Sequence, residues 1–310
     1  MLLFILFSTP ILILTNYLKT EIIELSFGDR MKLLETNSES VKNVKPHQSF
    51  MVRLDGKKFS SQTNGLVKPF DSVFADAMLH TAKDLLNEYH PSTVFVQSDE
   101  ITMLFNKIEQ SKEGTHLFAG RVSKLLSIIA GYTSTRFTVN FYKFLNESKN
   151  VCHVDYLKKI NGNGVLENAT FCFDSRLIVI PDNKSYEAVN NLMWRSVHDG
   201  YRNYVSGLAY YHFSKKELEN INTTQREELL NNKKNIIINE QPCHMRYGWY
   251  LKTESKNIQL LGGSGVRNYV VAKSFKIHYS SEIEQMLYTK KWNNVDSSIN
   301  FEEVRELEKN

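Results

Sequence analysis

The segment Ser49-Phe50-Met51-Val52-Arg53-Leu54 alternates in the manner of a β-strand, with Phe50, Val52 and Leu54 on one face and Met51, Arg53 and Asp55 on the other. Asp55 is thereby predicted to point away from the packed face. From Phe70 onward, Val73, Phe74, Ala77, Met78, Leu85, Leu86 and Tyr89 recur at three- and four-residue spacing. That period predicts an amphipathic helix entered through Pro69 and ended near His90-Pro91. Val94-Phe95-Val96-Gln97 and Ile101-Thr102-Met103-Leu104-Phe105 read as two strands joined so tightly that Ser98-Asp99-Glu100 must occupy the bend or its edges. Further along, 171–180 reads as a strand and 186–204 as a largely helical segment with Trp194 in the core. Residues 214–235 read as a charged helix and polar connection, and Ile236-Ile237-Ile238 and Tyr269-Val270-Val271 as later strands. From about Asn293 large apolar residues are sparse, which predicts a weakly held tail.

If a right-handed crossover sets the first strand beside the tight hairpin, Asp55 and Asp99 converge at neighbouring strand ends. Two acids and a nearby carbonyl, for which Gly56 is the natural candidate, suffice to cradle Mg²⁺, which takes hard oxygen ligands and shares its shell with substrate phosphates. On spacing alone, a solvated turn residue remains the commoner reading of such acids. Arg121 and Lys124 lie three apart on a helix whose apolar side is Val122, Leu125, Leu126 and Ile129, so both cations share one polar flank.

Composition changes this picture little. A chain of 310 residues with 42% hydrophobic content can bury one large core. A formal charge of +4 leaves any RNA binding to a local patch, such as Lys215-Lys216 or Lys233-Lys234. Cys152, Cys172 and Cys243 give an odd count with neither a disulfide framework nor a zinc spacing. Residues 1–18 carry no charge, but Pro10 and several polar residues interrupt a stretch already marginal for a membrane span. They also lack the positive start of a secretory signal and the Arg-rich character of a transit peptide. An unusual targeting or anchoring segment, a dispensable extension and translated sequence upstream of the true start all compete, and the last two are favoured. The expected organisation is an apolar extension over 1–25, a catalytic domain over 26–290 and a polar tail over 291–310. No internal repeat or long linker marks a further domain.

Arg53-Leu54-Asp55-Gly56-Lys57-Lys58-Phe59, Lys68-Pro69-Phe70-Asp71 and Gln97-Ser98-Asp99-Glu100-Ile101, in this order and at these distances, closely resemble the tRNA-His guanylyltransferase superfamily. Gly28-Asp29-Arg30-Met31-Lys32 is similar to the opening of its guanylyltransferase-like branch. Phe173-Asp174-Ser175-Arg176, Trp194-Arg195 and Ser214-Lys215-Lys216-Glu217-Leu218 continue the likeness, which covers roughly residues 26 to 275. The resemblance implies an α+β fold: a polymerase or cyclase-like palm, that is, a ferredoxin-like antiparallel sheet flanked by helices, with additional C-terminal helices and strands. It implies metal ligation by Asp55, the Gly56 carbonyl and Asp99, with Glu100 beside them, and two Mg²⁺ ions. It also implies triphosphate or nucleotide contacts at Lys57, Lys58, Phe59, Ser98, Arg121 and Lys124. The implied partners are tRNA, ATP, GTP and other nucleoside triphosphates, and the implied assembly is a homotetramer.

The implied activity is addition of nucleotides to an RNA 5′ end in the 3′-to-5′ direction, with ATP activation of a 5′-monophosphate. Where true tRNA-His guanylyltransferases carry a His-Ile-Asn-Asn-Leu-Tyr-Asn block, this chain has His198-Asp199-Gly200-Tyr201-Arg202-Asn203. Asp199, Arg202 and Asn203 look more like the Asp-x-x-Arg-Asn pattern of the like-protein branch, spaced one residue too far from Trp194-Arg195. The expected function is therefore template-directed repair or editing of tRNA 5′ ends. RNA contacts are expected at Arg202, Asn203, Lys215 and Lys216. The alternatives are a tRNA-His guanylyltransferase and, more distantly, a nucleotide cyclase or an inactive RNA-binding module. The compartment stays open between cytoplasm and mitochondrion, and no stable membrane association is expected of the catalytic domain.

Overall fold

The computed structural model describes residues 25–109, 113–161, 171–260 and 263–307. The apolar extension lies, but for its last residue, outside the described residues. Helix α1 (Phe27–Glu39) is the first element among the described residues, with its N-cap Ser26 accepting from the Asp29 amide. A βαββαβ unit follows: β1 (Phe50–Gly56), the single turn α2 (Phe59–Gln62), α3 (Ser72–Tyr89), β2 (Thr93–Gln97), β3 (Glu100–Phe105), α4 (Val122–Glu147), α5 (Val151–Asn161) and β4 (Phe173–Val179). Its strands lie in the order β4-β1-β3-β2, every neighbour antiparallel. This is the ferredoxin-like palm that the resemblance implied. The sheet continues through β5 (Trp249–Leu260), β6 (Gly263–Ser274) and β7 (Glu303–Leu307).

Both faces of the sheet are covered. On one, Phe50, Val52 and Leu54 pack with α3 and α4 residues such as Ala77, Leu85, Ile129 and Phe137. On the other, Met51, Leu104, Ile178 and Tyr250 pack with α6 (Tyr186–Met193) and α10 (Ser281–Tyr288). The strand face expected to be open around Arg53 and Asp55 is in fact roofed by α1 and by the segment after α6. Alternation showed which residues share a face, and only assembly showed that the polar face would also be covered.

Helix α3 begins at Ser72 rather than at Pro69, because the Asp71 carboxylate caps it by accepting from the Phe74 amide at 2.9 Å. His90, in the left-handed region at φ 50°, ends it as anticipated. The expected helix over 186–204 runs on to His212 through α6, a π-helical stretch (Trp194–Gly200) and α7 (Tyr201–His212). Trp194 is only half-buried, its ring lying against Phe27 and over Gly28. The expected strand at Ile236-Ile237-Ile238 is absent. Helix α8 (Thr223–Lys234) ends on Asn235 at φ 55°, the Ile236 amide turns back to the Leu230 carbonyl, and Ile238 is buried beside α7. The weakly held tail also needs correction. Trp292 is buried with its indole N–H donating to the Val271 carbonyl, and β7 pairs with β6 from Ser274↔Glu303 to Val270↔Leu307. A few well-placed apolar groups and a free sheet edge order a stretch whose composition is polar. Among the described residues no helix is long and apolar enough to cross a membrane.

On α3, the His80 ring packs edge-on to Phe144, and burial, then the positive charges of Lys83 and Arg305, holds its pKa down at about 4. An unfolded chain would bind that proton near pH 6.5, so the unfolded state takes it up first as pH falls. Stability from this site is therefore complete above about pH 6.5 and is lost as pH falls toward about 4. Thermal unfolding of His80→Gln should show a shallower decline across that window than wild type, and parallel profiles would refute the assignment.

Candidate active site

The β2–β3 turn is tight because Ser98 adopts φ 54°, and the Gly56 amide donates to the Asp99 carbonyl at 3.1 Å. Asp55 sits directly opposite Glu100 across β1–β3 and opposite Asp174 across β1–β4. Backbone pairing thus brings Asp55, Gly56, Asp99 and Glu100 to one sheet end, as the strand reading required. The ring of buried Phe59 lies so close to Gly56 that a Cβ there would approach it to 2.7 Å, so only glycine lets the chain turn over that ring.

Two arginines hold the acids in place. Arg53, almost wholly buried, donates to Asp55 Oδ2 at 2.9 Å, to Glu100 Oε1 at 3.1 Å and to both Glu35 oxygens at 3.2 and 3.3 Å. Arg195, in the π-helical stretch, reaches Asp199 Oδ2 at 3.3 Å and Glu100 Oε1 at 3.4 Å. Arg202 pairs with Asp199 from the rim. Asp99 has no ion-pair partner among the described residues; it receives the Ser98 hydroxyl at 3.2 Å. Burial pushes the Asp99 carboxyl above the usual aspartate range, and the negative charge of Asp55 adds to the rise. Burial likewise raises Glu100, opposed by Arg53 and Arg195.

A cation suits this donor set. The oxygens are hard, and the described contacts leave Asp55 Oδ1 and Glu100 Oε2 unengaged. Burial and the Asp55 charge disfavour the ionised form of Asp99, and a nearby cation would favour it. Among the described residues no group of three or more His, Cys, Asp or Glu side chains closes on a metal position.

Beside the acids opens a cavity of about 380 Å³. Its walls come from α2 and the loop after it (Phe59, Thr63, Leu66), from Phe70 and Phe74, from Arg195, Asp199 and Asn203, and from His244, Met245 and Trp249. Apolar walls with a polar, acidic end suit a ligand with a flat apolar body and a charged tail.

The remaining sequence candidates fall in three places. Ser98, Phe59 and Asn203 line the cavity, and Lys57 and Lys58 stand exposed just past Gly56. Arg121 and Lys124 stand exposed at the start of α4, where the chain is tied to Lys42, Asn43 and Val44 ahead of β1. None of their described contacts reaches the acids at the far end of that strand. Lys215 and Lys216 line a separate surface depression with Tyr210 and Arg226. Sequence reading missed Glu35 and the part played by Arg195. A signal existed for Glu35, since Arg53 interrupts an apolar strand and Glu35 shares a helix face with Met31 and Ser38, so each needed a buried partner.

A family model described as tRNAHis guanylyltransferase matches residues 28–181. The chain is 37% identical over 263 residues to the Acanthamoeba polyphaga mimivirus protein R259, covering 83% of this chain and 86% of that protein. It is 30% identical over 103 residues to tRNA(His) guanylyltransferase 2 of Arabidopsis thaliana, covering 32% of this chain and 18% of the relative. A bacterial tRNA(His) guanylyltransferase (Thg1)-like protein in complex with ATP superposes with a TM-score of 0.59 at 25% identity, covering 85% of this chain and 100% of that one. The tRNA(His) guanylyltransferase of Saccharomyces cerevisiae shares the fold, with a TM-score of 0.55 at 19% identity over 80% of this chain and 97% of that one.

Replacing Arg195 leaves Glu100 to Arg53 and Asp199 to Arg202, so each acid loses one of two cationic partners. Arg195→Ala should cost about 1.5–3 kcal/mol of unfolding free energy in urea titrations, the scale of hydrogen bonds to charged groups. A loss within ~0.5 kcal/mol, the range of ordinary surface substitutions, would show that the pairing contributes little.

Proposed function

This chain belongs to the tRNAHis guanylyltransferase superfamily, whose members are nucleotidyltransferases, and from that premise we propose that it adds nucleotides to the 5′ end of tRNA, in the 3′-to-5′ direction and directed by the opposite strand. The observation that carries the reading is the convergence of Asp55, Gly56 and Asp99 at adjacent strand ends, beside a cavity sized for a nucleoside. The ATP bound by the similar bacterial protein supports a nucleoside triphosphate as occupant.

In this mechanism Asp55, the Gly56 carbonyl and Asp99 would hold two Mg²⁺ ions, which would neutralise charge on the triphosphate and lower the pKa of the attacking 3′-hydroxyl. Glu100, fixed by Arg53 and Arg195, keeps the two acids in register. The Ser98 hydroxyl and the ammonium groups of Lys57 and Lys58 offer donors to phosphate oxygens at the strand ends. A 5′-monophosphate first takes AMP from ATP, releasing pyrophosphate; the 3′-hydroxyl of the incoming nucleotide then attacks the activated phosphate and releases AMP. A 5′-triphosphate omits the first step and releases pyrophosphate. Arg202 and Asn203 at the rim, and Lys215 and Lys216 beyond it, are the proposed RNA contacts, and homotetramer assembly belongs to the same reading.

Addition of a single guanosine to tRNA-His is the second reading, which the name of the Arabidopsis relative favours. Purified protein with 5′-truncated tRNAs, each nucleoside triphosphate and Mg²⁺ should yield extended ends that complement the opposite strand on sequencing. Guanosine added only to tRNA-His would select the second reading. Cyclisation of free triphosphate, or RNA binding without turnover, would reject both. Asp99→Ala should abolish addition while leaving the unfolding temperature near that of wild type; near-normal turnover in that variant would show the site is misplaced.

A further inference from the structure

The cavity wall farther along β2 from the acids is built by the C-terminal part of the chain. His244 lies in the short helix α9 (Cys243–Tyr247), and its ring stacks on Trp249 with centroids 4.8 Å apart and planes at 16°. Glu303, the first residue of β7, engages His244 Nδ1 with one oxygen and accepts from the Cys243 amide with the other at 2.6 Å. The adjacent Glu302 receives the Arg246 guanidinium at 3.1 Å, and the Arg246 carbonyl accepts from Gln97 Nε2 at 2.9 Å. The imidazole is thus fixed in plane by the indole and in tautomer by the carboxylate. With Nδ1–H given to Glu303, the neutral ring presents Nε2 as an acceptor, with no partner among the described contacts.

The position matches one part of a nucleotide. Trp249 pairs with Val96, one residue before the end of β2, and Asp99 follows in the β2–β3 turn, so the wall and the acids face one cavity from different points along it. A nucleoside triphosphate, with base and phosphates at opposite ends, can span the two. Phosphates belong at the acidic end, so the base falls among Phe59, Leu66, Phe70 and the His244–Trp249 pair.

We infer that His244 Nε2 accepts a hydrogen bond from the amino group of the purine base of the bound nucleoside triphosphate, and that Glu303 acts as the positioning residue that aims it. The inference rests on the nucleotide reading proposed above. It gives the C-terminal strand a direct part in substrate recognition.

The test measures dissociation constants of ATP and of purine riboside triphosphate, which lacks the amino group, with Mg²⁺ in mildly alkaline buffer where an ordinary imidazole is neutral. Wild type should favour ATP about 10-fold, the scale of one buried hydrogen bond. His244→Phe, which keeps an aromatic ring on Trp249, should bind the two alike, and Glu303→Gln should narrow the preference. A folded His244→Phe that still discriminates as wild type does, or a wild type that binds both nucleotides equally, overturns the inference while leaving the nucleotide site standing. Wild type that binds neither overturns the nucleotide reading itself. Should His244→Phe fail to fold, imidazole nitrogen NMR of wild type decides. ATP, unlike the analogue, must shift one histidine Nε2 resonance, and identical spectra reject the contact.

Discussion

Arg53 and Arg195 are the charges around which the molecule is arranged. A buried guanidinium is tolerated only when its lost hydration is replaced by well-placed acceptors. Here the acceptors come from four separate elements: Glu35 on α1, Asp55 on β1, Glu100 at the start of β3 and Asp199 in the π-helical stretch. Satisfying the two arginines therefore requires the N-terminal helix, the palm hairpin and the long composite helix to meet at one point. That point is the end of the sheet where Asp99 carries a carboxylate without an ion pair. The proposed reaction centre and the junction of the fold are one structure, which explains why its acids are both rigid and short of positive charge.

The composite helix sets the direction in which its polar residues point. A π turn takes in one more residue than an α turn, and residues Trp194–Gly200 are wound that way between α6 and α7. With that winding, Arg195 and Asp199 face the acids and Asn203 lines the cavity. Gly200 sits where this stretch crosses Gln97, and a Cβ there would come within 2.1 Å of the Gln97 side chain. Gln97 in turn holds α9, which links the stretch to the His244 wall. Both sides of the cavity are thus referenced to β2, the strand that leads into Asp99.

How much was legible depended on the range of the forces involved. The β1, β2 and β3 strands, helix α3 and the tight turn at Ser98 follow from alternation, helical period and turn chemistry, all local properties. The meeting of Asp55 with Asp99 needed one topological step, the placing of β1 beside the hairpin, and the register Asp55↔Glu100 bears that placing out. Trp194 was misjudged because residue type speaks for burial only on average, and its position beside a helix N-terminus left its ring half-covered. The isoleucine run at 236–238 has strand-forming residues, but a preceding Asn235 cap and burial against α7 override a preference worth well under a kilocalorie per residue.

The sequence by itself determined the palm unit, the acidic strand ends and the family likeness, because each resides in short runs whose backbone preferences and spacing are self-contained. Tertiary structure alone decided that Glu35 would neutralise Arg53, and that the backbone at Arg121 would be tied to Lys42–Val44 ahead of β1. It alone brought Glu303, near the end of the chain, to the His244 ring at the cavity. Those outcomes join residues about 20 to 80 apart in the chain by charge compensation and backbone pairing, and a local pattern can show that a charge sits among apolar residues but not which distant residue meets it.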